Sequence, residues 1–352
     1  MKSVEQKEGD TLVDPKGVEQ MKMIHLAADN PHPTVWNELF VNELRTLGEL
    51  TIVPNARNLP VTEIADAIRQ CDVALSSWGS VSIPENVTAN PGKLKYACHI
   101  TGAVRGCIPL SLIDAGILVS NWGDAPANGL AEGAVALLFA VMKDLHRSVL
   151  RQRGMDAAAG DSVVMGSLEE TSVGVYGMGV TGRRFVEILR PFAPIIRAYD
   201  PFASDLPPDC IRVATLEELF GQSRIVTIHA GLNETTHKSV TADLLARMPD
   251  HGIVINTARG AIVDHEALTR EVCSGRLRAG LDVTDPEPLP QDHPLRQCPG
   301  CIITPHNISG SWPDDPVHLG KMHRICLDNL RRFQRGEPVK FKMDRRRYEL
   351  ST

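Results

Sequence analysis

Short apolar runs alternate along the chain with stretches in which apolar residues recur every three or four positions. MIHLA, LTIVP, VALSS, LKYACHI and ILVSN read as strands, and VWNELFVNELRTLG and VTEIADAIRQ between them as amphipathic helices. A second series begins near residue 172: SVGVYG, IIRAYD, RIVTIHA, GIVINTA, AGLDVT and CIITPH. These six runs are rich in Val and Ile, as in strands buried on both faces of a parallel sheet. TGRRFVEILRPFA and HEALTREVCSGR supply crossover helices. AEGAVALLFAVMKDLHR is apolar on most sides and predicts one long, unbroken helix, buried or at an interface. The alternation predicts an α/β fold, with a Rossmann-type domain built from the second series. Residues 316–335 predict a further helix, rich in Lys and Arg. Residues 1–20 read as a flexible tail, and the run Arg345, Arg346, Arg347 as part of a solvated one.

At 352 residues the chain is long enough for about two domains of ~150 residues each. Its 37 Lys and Arg against 43 Asp and Glu give a net charge of −6, which argues against nucleic acid or an anionic membrane as partner. No run approaches the ~18 apolar residues of a membrane span, and MKSVEQKEGDTLVDPKGVEQ lacks the apolar region of a secretory signal. A cytoplasmic location is the expectation. The eight cysteines then read as free thiols, mostly buried. Cys298 and Cys301 have C-x-x-C spacing, but no second such pair completes a four-ligand zinc site. The pair reads as a turn before CIITPH, and no metal is expected.

Gly177-Met178-Gly179-Val180-Thr181-Gly182 follows a predicted strand and opens a predicted helix. In that context Gly177 permits a tight turn, Gly179 lets a pyrophosphate approach the backbone, and Gly182 lets helix and strand pack closely. The phosphates would meet the helix N-terminus, where free N–H groups and the helix dipole favour anions. Asp200 ends the next strand, 18 residues after Gly182, near the ~20-residue spacing of a ribose-binding carboxylate. It would repel a 2′-phosphate, and no basic residue follows in DPFASD, so NAD is expected over NADP.

Ligands of open α/β sheets bind beyond the carboxyl ends of the strands. There the sequence places His229, Arg259, Asp282 with Glu287 after it, and His306. Reduction of a carbonyl needs a proton donor, and His306 suits that role. Glu287, between Pro286 and Pro288, would orient the imidazole and stabilise its protonated form. Arg259 would pair with a carboxylate through its forked donors and polarise the adjacent carbonyl.

Taken together, VGVYGMGVTGRRF, AYDPF, VINTARGAIVDHEAL, AGLDVTDPEPLP and ITPHNISG resemble the NAD-dependent D-isomer-specific 2-hydroxyacid dehydrogenases, in the family's order and over roughly residues 50–335. The resemblance implies Arg259, Glu287 and His306 as the catalytic residues, with Asp282 near the nicotinamide. The cofactor set is then Gly177, Gly179, Val180, Thr181, Gly182, Asp200, His229, Thr257, Ala258, Arg259, Asp282 and His306. It also implies a homodimer and a smaller, flavodoxin-like α/β substrate domain, discontinuous in sequence. The expected boundaries are 21–122 and 309–352 for the substrate domain and 123–308 for the NAD-binding domain.

Two places depart from the family pattern. HAGLNETTH has Gly231 where a Pro is common, and ITGAVRGCIP has Arg105 where an Asp is common. The expected substrate-binding residues are Trp78, Gly102, Ala103, Arg105 and Arg259. Backbone N–H groups near Gly102 and Ala103 would hold the substrate carboxylate, and Trp78 would add an apolar wall. Arg105 is weighed two ways: it reads the distal end of a larger 2-oxo acid, or it turns away to a local partner. The leading function is hydride transfer between NAD(H) and C2 of a small 2-oxo or 2-hydroxy acid. The alternatives are an NAD-sensing regulator of the C-terminal-binding-protein type and a formate or phosphite dehydrogenase. Formate chemistry needs no proton donor, so Glu287 and His306 favour the hydroxy acid.

Overall fold

A computed structural model describes residues 20–155, 165–310 and 319–350. The tail expected over residues 1–20 lies outside the described residues, apart from Gln20. The chain divides into two compact units, Met1–Gly123 with Asp314–Tyr348 and Asp124–Pro313 with Glu349–Thr352.

The first unit contains strands β1 (Met21–Leu26), β2 (Gly48–Val53), β3 (Val73–Ser76), β4 (Tyr96–His99) and β5 (Leu118–Ser120). They form one parallel sheet in the order β2-β1-β3-β4-β5. The chain order reverses between β1 and β3, where Met23 pairs with Val73. The crossovers carry α1 (Glu38–Leu47), α2 (Val61–Arg69), α3 (Asn86–Ala89) and α4 (Leu110–Asp114). Asn37 caps α1 by accepting from the Phe40 amide, and Phe40 and Leu44, one turn apart, are buried.

The second unit begins with α5 (Ala127–Met142) and α6 (Leu145–Gln152). The single helix expected here is in fact two. Asp144 takes a left-handed φ of 47° between them, a backbone state that ends a helix and that periodicity alone does not reveal. Strands β6 (Ser172–Tyr176), β7 (Ile195–Tyr199), β8 (Ile211–Arg212), β9 (Ile225–Ile228), β10 (Gly252–Asn256), β11 (Leu277–Leu281) and β12 (Cys301–Ile303) follow. Their sheet is parallel, in the order β12-β11-β10-β9-β6-β7-β8. The α/β Rossmann-type reading is therefore correct, with one edge strand more than the six expected. Helices α7 (Val180–Leu189), α8 (Leu216–Gly221), α9 (Ala242–Ala246) and α10 (His265–Cys273) make the crossovers. Every residue of β9 and β10 is buried, as their unbroken apolar sequences require.

Helix α11 (Lys321–Gln334) belongs to the first unit, where Cys326, Leu327 and Leu330 join the core that contains Phe40 and Leu44. Beyond it the structure corrects two expectations. Arg345–Leu350 is a helix, α12, rather than a solvated tail. Tyr348 is buried and its hydroxyl donates to the Ile108 carbonyl at 2.9 Å, while Arg345 pairs with Asp114 at 2.6 Å. The second correction concerns the thiols. Cys273, at the end of α10, is disulfide-bonded to Cys298, with Cα atoms 5.2 Å apart. The fold brings them together across 25 residues, whereas Cys301, three residues from Cys298, remains a free thiol. Burial pushes the Cys301 thiol up to about 12.

Candidate functional site

The chain order of the second sheet reverses between β6 and β9, the place where such sheets bind ligands. Beyond β6, Gly177 adopts φ 94°, and a Cβ there would lie 2.5 Å from the Ala230 nitrogen. A Cβ on Gly182 would lie 2.1 Å from the Gly177 carbonyl oxygen. The turn and the helix after it thus close only with glycine at both positions. Gly179 is the N-cap of α7, and a Cβ added to it would meet nothing within 4 Å. Val180 is exposed and Thr181 half-buried at the same helix end.

Asp200 follows β7 and turns back toward this loop. One carboxylate oxygen accepts from the Met178 amide at 2.7 Å, and the other from Phe202 and Ala203 at 2.8 and 3.1 Å. Each carboxylate oxygen has two lone pairs, so the oxygen held by Met178 keeps one for a ribose hydroxyl. A sharp turn, an open helix N-terminus and a carboxylate one strand away fit a dinucleotide. Two guanidinium groups also reach this loop, from elements that a reading of DPFASD leaves out. Arg183 on α7 donates to the Met178 carbonyl at 3.1 Å and pairs with Asp205 at 3.1 Å. Arg212 on β8 donates to the carbonyls of Asp200 and Ala203 at 3.3 and 3.0 Å.

His229 follows β9. Its Nε2 lies 2.9 Å from the Thr227 hydroxyl, and its ring packs on Phe185 with centroids 5.0 Å apart. Burial pulls its pKa down to about 3, so the ring is neutral at ordinary pH. After β10, Thr257 is buried and Ala258 half-buried. The buried Asn256 holds this turn: its side-chain oxygen accepts from the Ala258 amide at 3.0 Å and its nitrogen donates to the Arg259 carbonyl at 2.9 Å. The Arg259 guanidinium donates to the Ala258 carbonyl at 2.7 Å. Burial lowers its pKa, and the charge of Glu287 acts in the opposite direction.

His306 and Glu287 meet at the carboxyl end of β11 and β12, with Nδ1 and Oε1 2.5 Å apart. With an ionised Glu287 as acceptor, Nδ1 carries the hydrogen, and Nε2 is left for a substrate. His306 has φ 54°, uncommon outside glycine, and neighbouring bonds fix the loop around it. The buried Asp282 accepts from the Thr304 hydroxyl at 2.6 Å and from the Asn307 and Ile308 amides at 3.0 and 3.2 Å. The structure thus brings Arg259, Glu287 and His306 into one cluster and sets Asp282 behind it, as the support of the loop.

In the first unit, Trp78 and Gly79 follow β3, Gly102 and Ala103 follow β4, and Trp122 follows β5. Trp78 is exposed and meets Trp122 edge-on. The Gly102 carbonyl accepts from the Asn121 side chain at 2.9 Å. Arg105 Nε donates to the Tyr348 carbonyl at 3.0 Å, and the guanidinium carbon lies 5.8 Å from the centre of the Tyr348 ring.

Asn256, Thr304 and Trp122 were not singled out from the sequence. Asn256 and Thr304 stand at strand ends next to recognised motifs, in VINTARG and ITPH, and that position was the available signal.

Residues 135–307 match the model of the D-isomer specific 2-hydroxyacid dehydrogenase, NAD binding domain. These residues form an NAD-binding domain of the D-isomer specific 2-hydroxyacid dehydrogenase type. The chain is an NAD-dependent 2-hydroxyacid dehydrogenase. It is 25% identical over 304 residues to a hydroxypyruvate reductase of Blautia hydrogenotrophica, covering 84% of this chain and 92% of that protein. It is 27% identical over 309 residues to a D-3-phosphoglycerate dehydrogenase of Methanocaldococcus jannaschii, covering 86% of this chain but only 57% of that longer protein. A 2-hydroxyacid dehydrogenase structure from Ketogulonicigenium vulgare superposes with a TM-score of 0.74 at 20% identity, over 93% of this chain and 99% of that one, a likeness of fold. Among the described residues no helix is long and apolar enough to cross a membrane.

Proposed function

We propose that this dehydrogenase reduces the keto group of a 2-oxo acid to a D-2-hydroxy acid, and runs the reverse oxidation, with His306 as general acid and base. The single observation that supports this most is the 2.5 Å contact of His306 with Glu287 in the cluster that includes Arg259. NAD(H), when bound, accepts or supplies the hydride. Gly177, Gly179, Val180, Thr181 and Gly182 would hold its phosphates and Asp200 its ribose hydroxyls, with His229, Thr257, Ala258 and Asp282 serving the remainder. Arg259 grips the substrate carboxylate, assisted by the backbone at Gly102 and Ala103. His306 gives a proton from Nε2 to the carbonyl oxygen. Glu287 holds the Nδ1 hydrogen and offsets the positive charge of the imidazolium before the transfer. Formate oxidation needs no proton donor, and the hydroxypyruvate and glyoxylate reductases that the chain resembles are catalysts, so neither alternative is favoured.

The same proposal takes residues 123–308 as the NAD-binding domain, and 21–122 with 309–352 as the substrate domain. It includes a cytoplasmic location and a homodimer, the latter supported by the exposed apolar side chains Leu145, Val149 and Leu150 on α6. Light scattering on the purified protein tests the dimer. NADH oxidation with glyoxylate, hydroxypyruvate, pyruvate, phenylpyruvate and oxaloacetate tests the activity, and chiral analysis of the product tests the D configuration. If NADH binds and none of these acids is reduced, the reading fails.

A further inference from the structure

The first unit presents an aromatic surface at the carboxyl ends of its strands. Trp78, two residues past the end of β3, is 45% exposed, an unfavourable placement for so large an apolar ring. Its position is nevertheless fixed. The Trp122 ring meets it at 90° with centroids 5.4 Å apart, and the His32 ring at 70° and 5.6 Å. Its backbone is pinned as well: the Ser77 amide donates to Ser80 Oγ at 2.8 Å, and the Gly79 carbonyl accepts from Ala28 at 2.7 Å. Trp122 in turn lies against Gly102, where a Cβ would come within 2.7 Å of the indole. The surface therefore adjoins the backbone assigned above to the substrate carboxylate. It also lies beside the reversal between β1 and β3, where sheets of this type bind ligands. The cation on the same loop, Arg105, is engaged by Tyr348.

Resting on the function proposed above, we infer that Trp78, Trp122 and His32 form a wall for the side chain of the substrate, and that this side chain carries an aryl ring. A flat ring offers edge-to-face contacts to exposed indole, whereas the hydrogen of glyoxylate or the hydroxymethyl of hydroxypyruvate leaves Trp78 in water. The reaction is otherwise the same: C2 takes a hydride from NADH and its oxygen takes a proton, giving NAD⁺ and an aryl 2-hydroxy acid.

Steady-state NADH oxidation by the full-length protein tests this with phenylpyruvate and pyruvate in parallel. We expect kcat/KM for phenylpyruvate to exceed that for pyruvate by at least ~10-fold. Trp78→Ala should lower that ratio by about 10- to 100-fold, and Trp78→Phe should retain most of it. On the unaltered protein, phenylacetate should inhibit more strongly than acetate, which needs no variant to fold. Reduction of pyruvate or glyoxylate without a preference for phenylpyruvate overturns this inference and leaves the general function standing. So does an unchanged ratio in Trp78→Ala. Reduction of no 2-oxo acid overturns both.

Discussion

Asp282 holds Thr304 at 2.6 Å, side chain to side chain, across the ends of β11 and β12. The same carboxylate takes the amides of Asn307 and Ile308, so the residues on both sides of His306 hang from one buried group. Removing it leaves several donors without their acceptor, at about 1–3 kcal/mol for each one that stays buried. Asp282→Ala is expected to lower the urea midpoint and kcat together. A variant as stable and as fast as the parent would show that this loop needs no such support.

His306→Ala is expected to reduce turnover by about 10²- to 10⁴-fold, the range for loss of a general acid or base. NADH affinity should change little, because the imidazole acts on the substrate oxygen. Fluorescence titration of NADH beside steady-state kinetics separates the two effects. A large loss of NADH binding would move His306 from proton transfer to cofactor binding.

Stability should fall on mild acidification. Burial lowers His25 and His99 to about 4 and His229 to about 3, against 6.5 in the unfolded chain. Below pH 6.5 the unfolded state takes up protons that these folded rings refuse. The folded state therefore loses ground as pH falls from 6.5, until the rings themselves protonate near pH 4 and below. Each contributes a slope of up to about 1.4 kcal/mol per pH unit within that window. Urea unfolding at pH 7, 6 and 5 measures the slope, and a midpoint that stays constant would contradict it.

Cofactor choice should follow Asp200. Its carboxylate is held at the glycine turn, and the nearby Arg183 is already paired with Asp205. NADH is expected to bind at least ~10-fold more tightly than NADPH, a difference of about 1.4 kcal/mol. Asp200→Ala should narrow the gap. Comparative titration of the two cofactors decides it.

The buried strands were legible because β9 and β10 are apolar throughout, and only a fully covered strand needs that. β8 was not, because Ile211 and Arg212 are both exposed and too few to show a period. The acid–base pair was legible because His and Glu at strand ends have few other reasons to meet. Asn256 and Thr304 were not, since they act on the backbone and on a buried carboxylate, and many residues can hydrogen-bond a backbone. The Cys273–Cys298 bond was hidden by distance in sequence, while the adjacent Cys301 gave a spacing that the fold does not use. Arg105 illustrates the other limit: its charge was visible, but its direction depended on Tyr348, 243 residues away.

The residues proposed for chemistry and those proposed for selectivity are held by different hydrophobic cores. His306, Glu287 and Arg259 follow strands of the second sheet, whereas Trp78 and Trp122 follow strands of the first. The ring contacts of Trp78 with Trp122 lie within the first unit and the hydrogen bonds of Asp282 within the second. Selection can therefore exchange one substrate for another by altering a few aromatic positions, without rebuilding the proton donor each time. A family organised in this way can diversify its substrates faster than its mechanism.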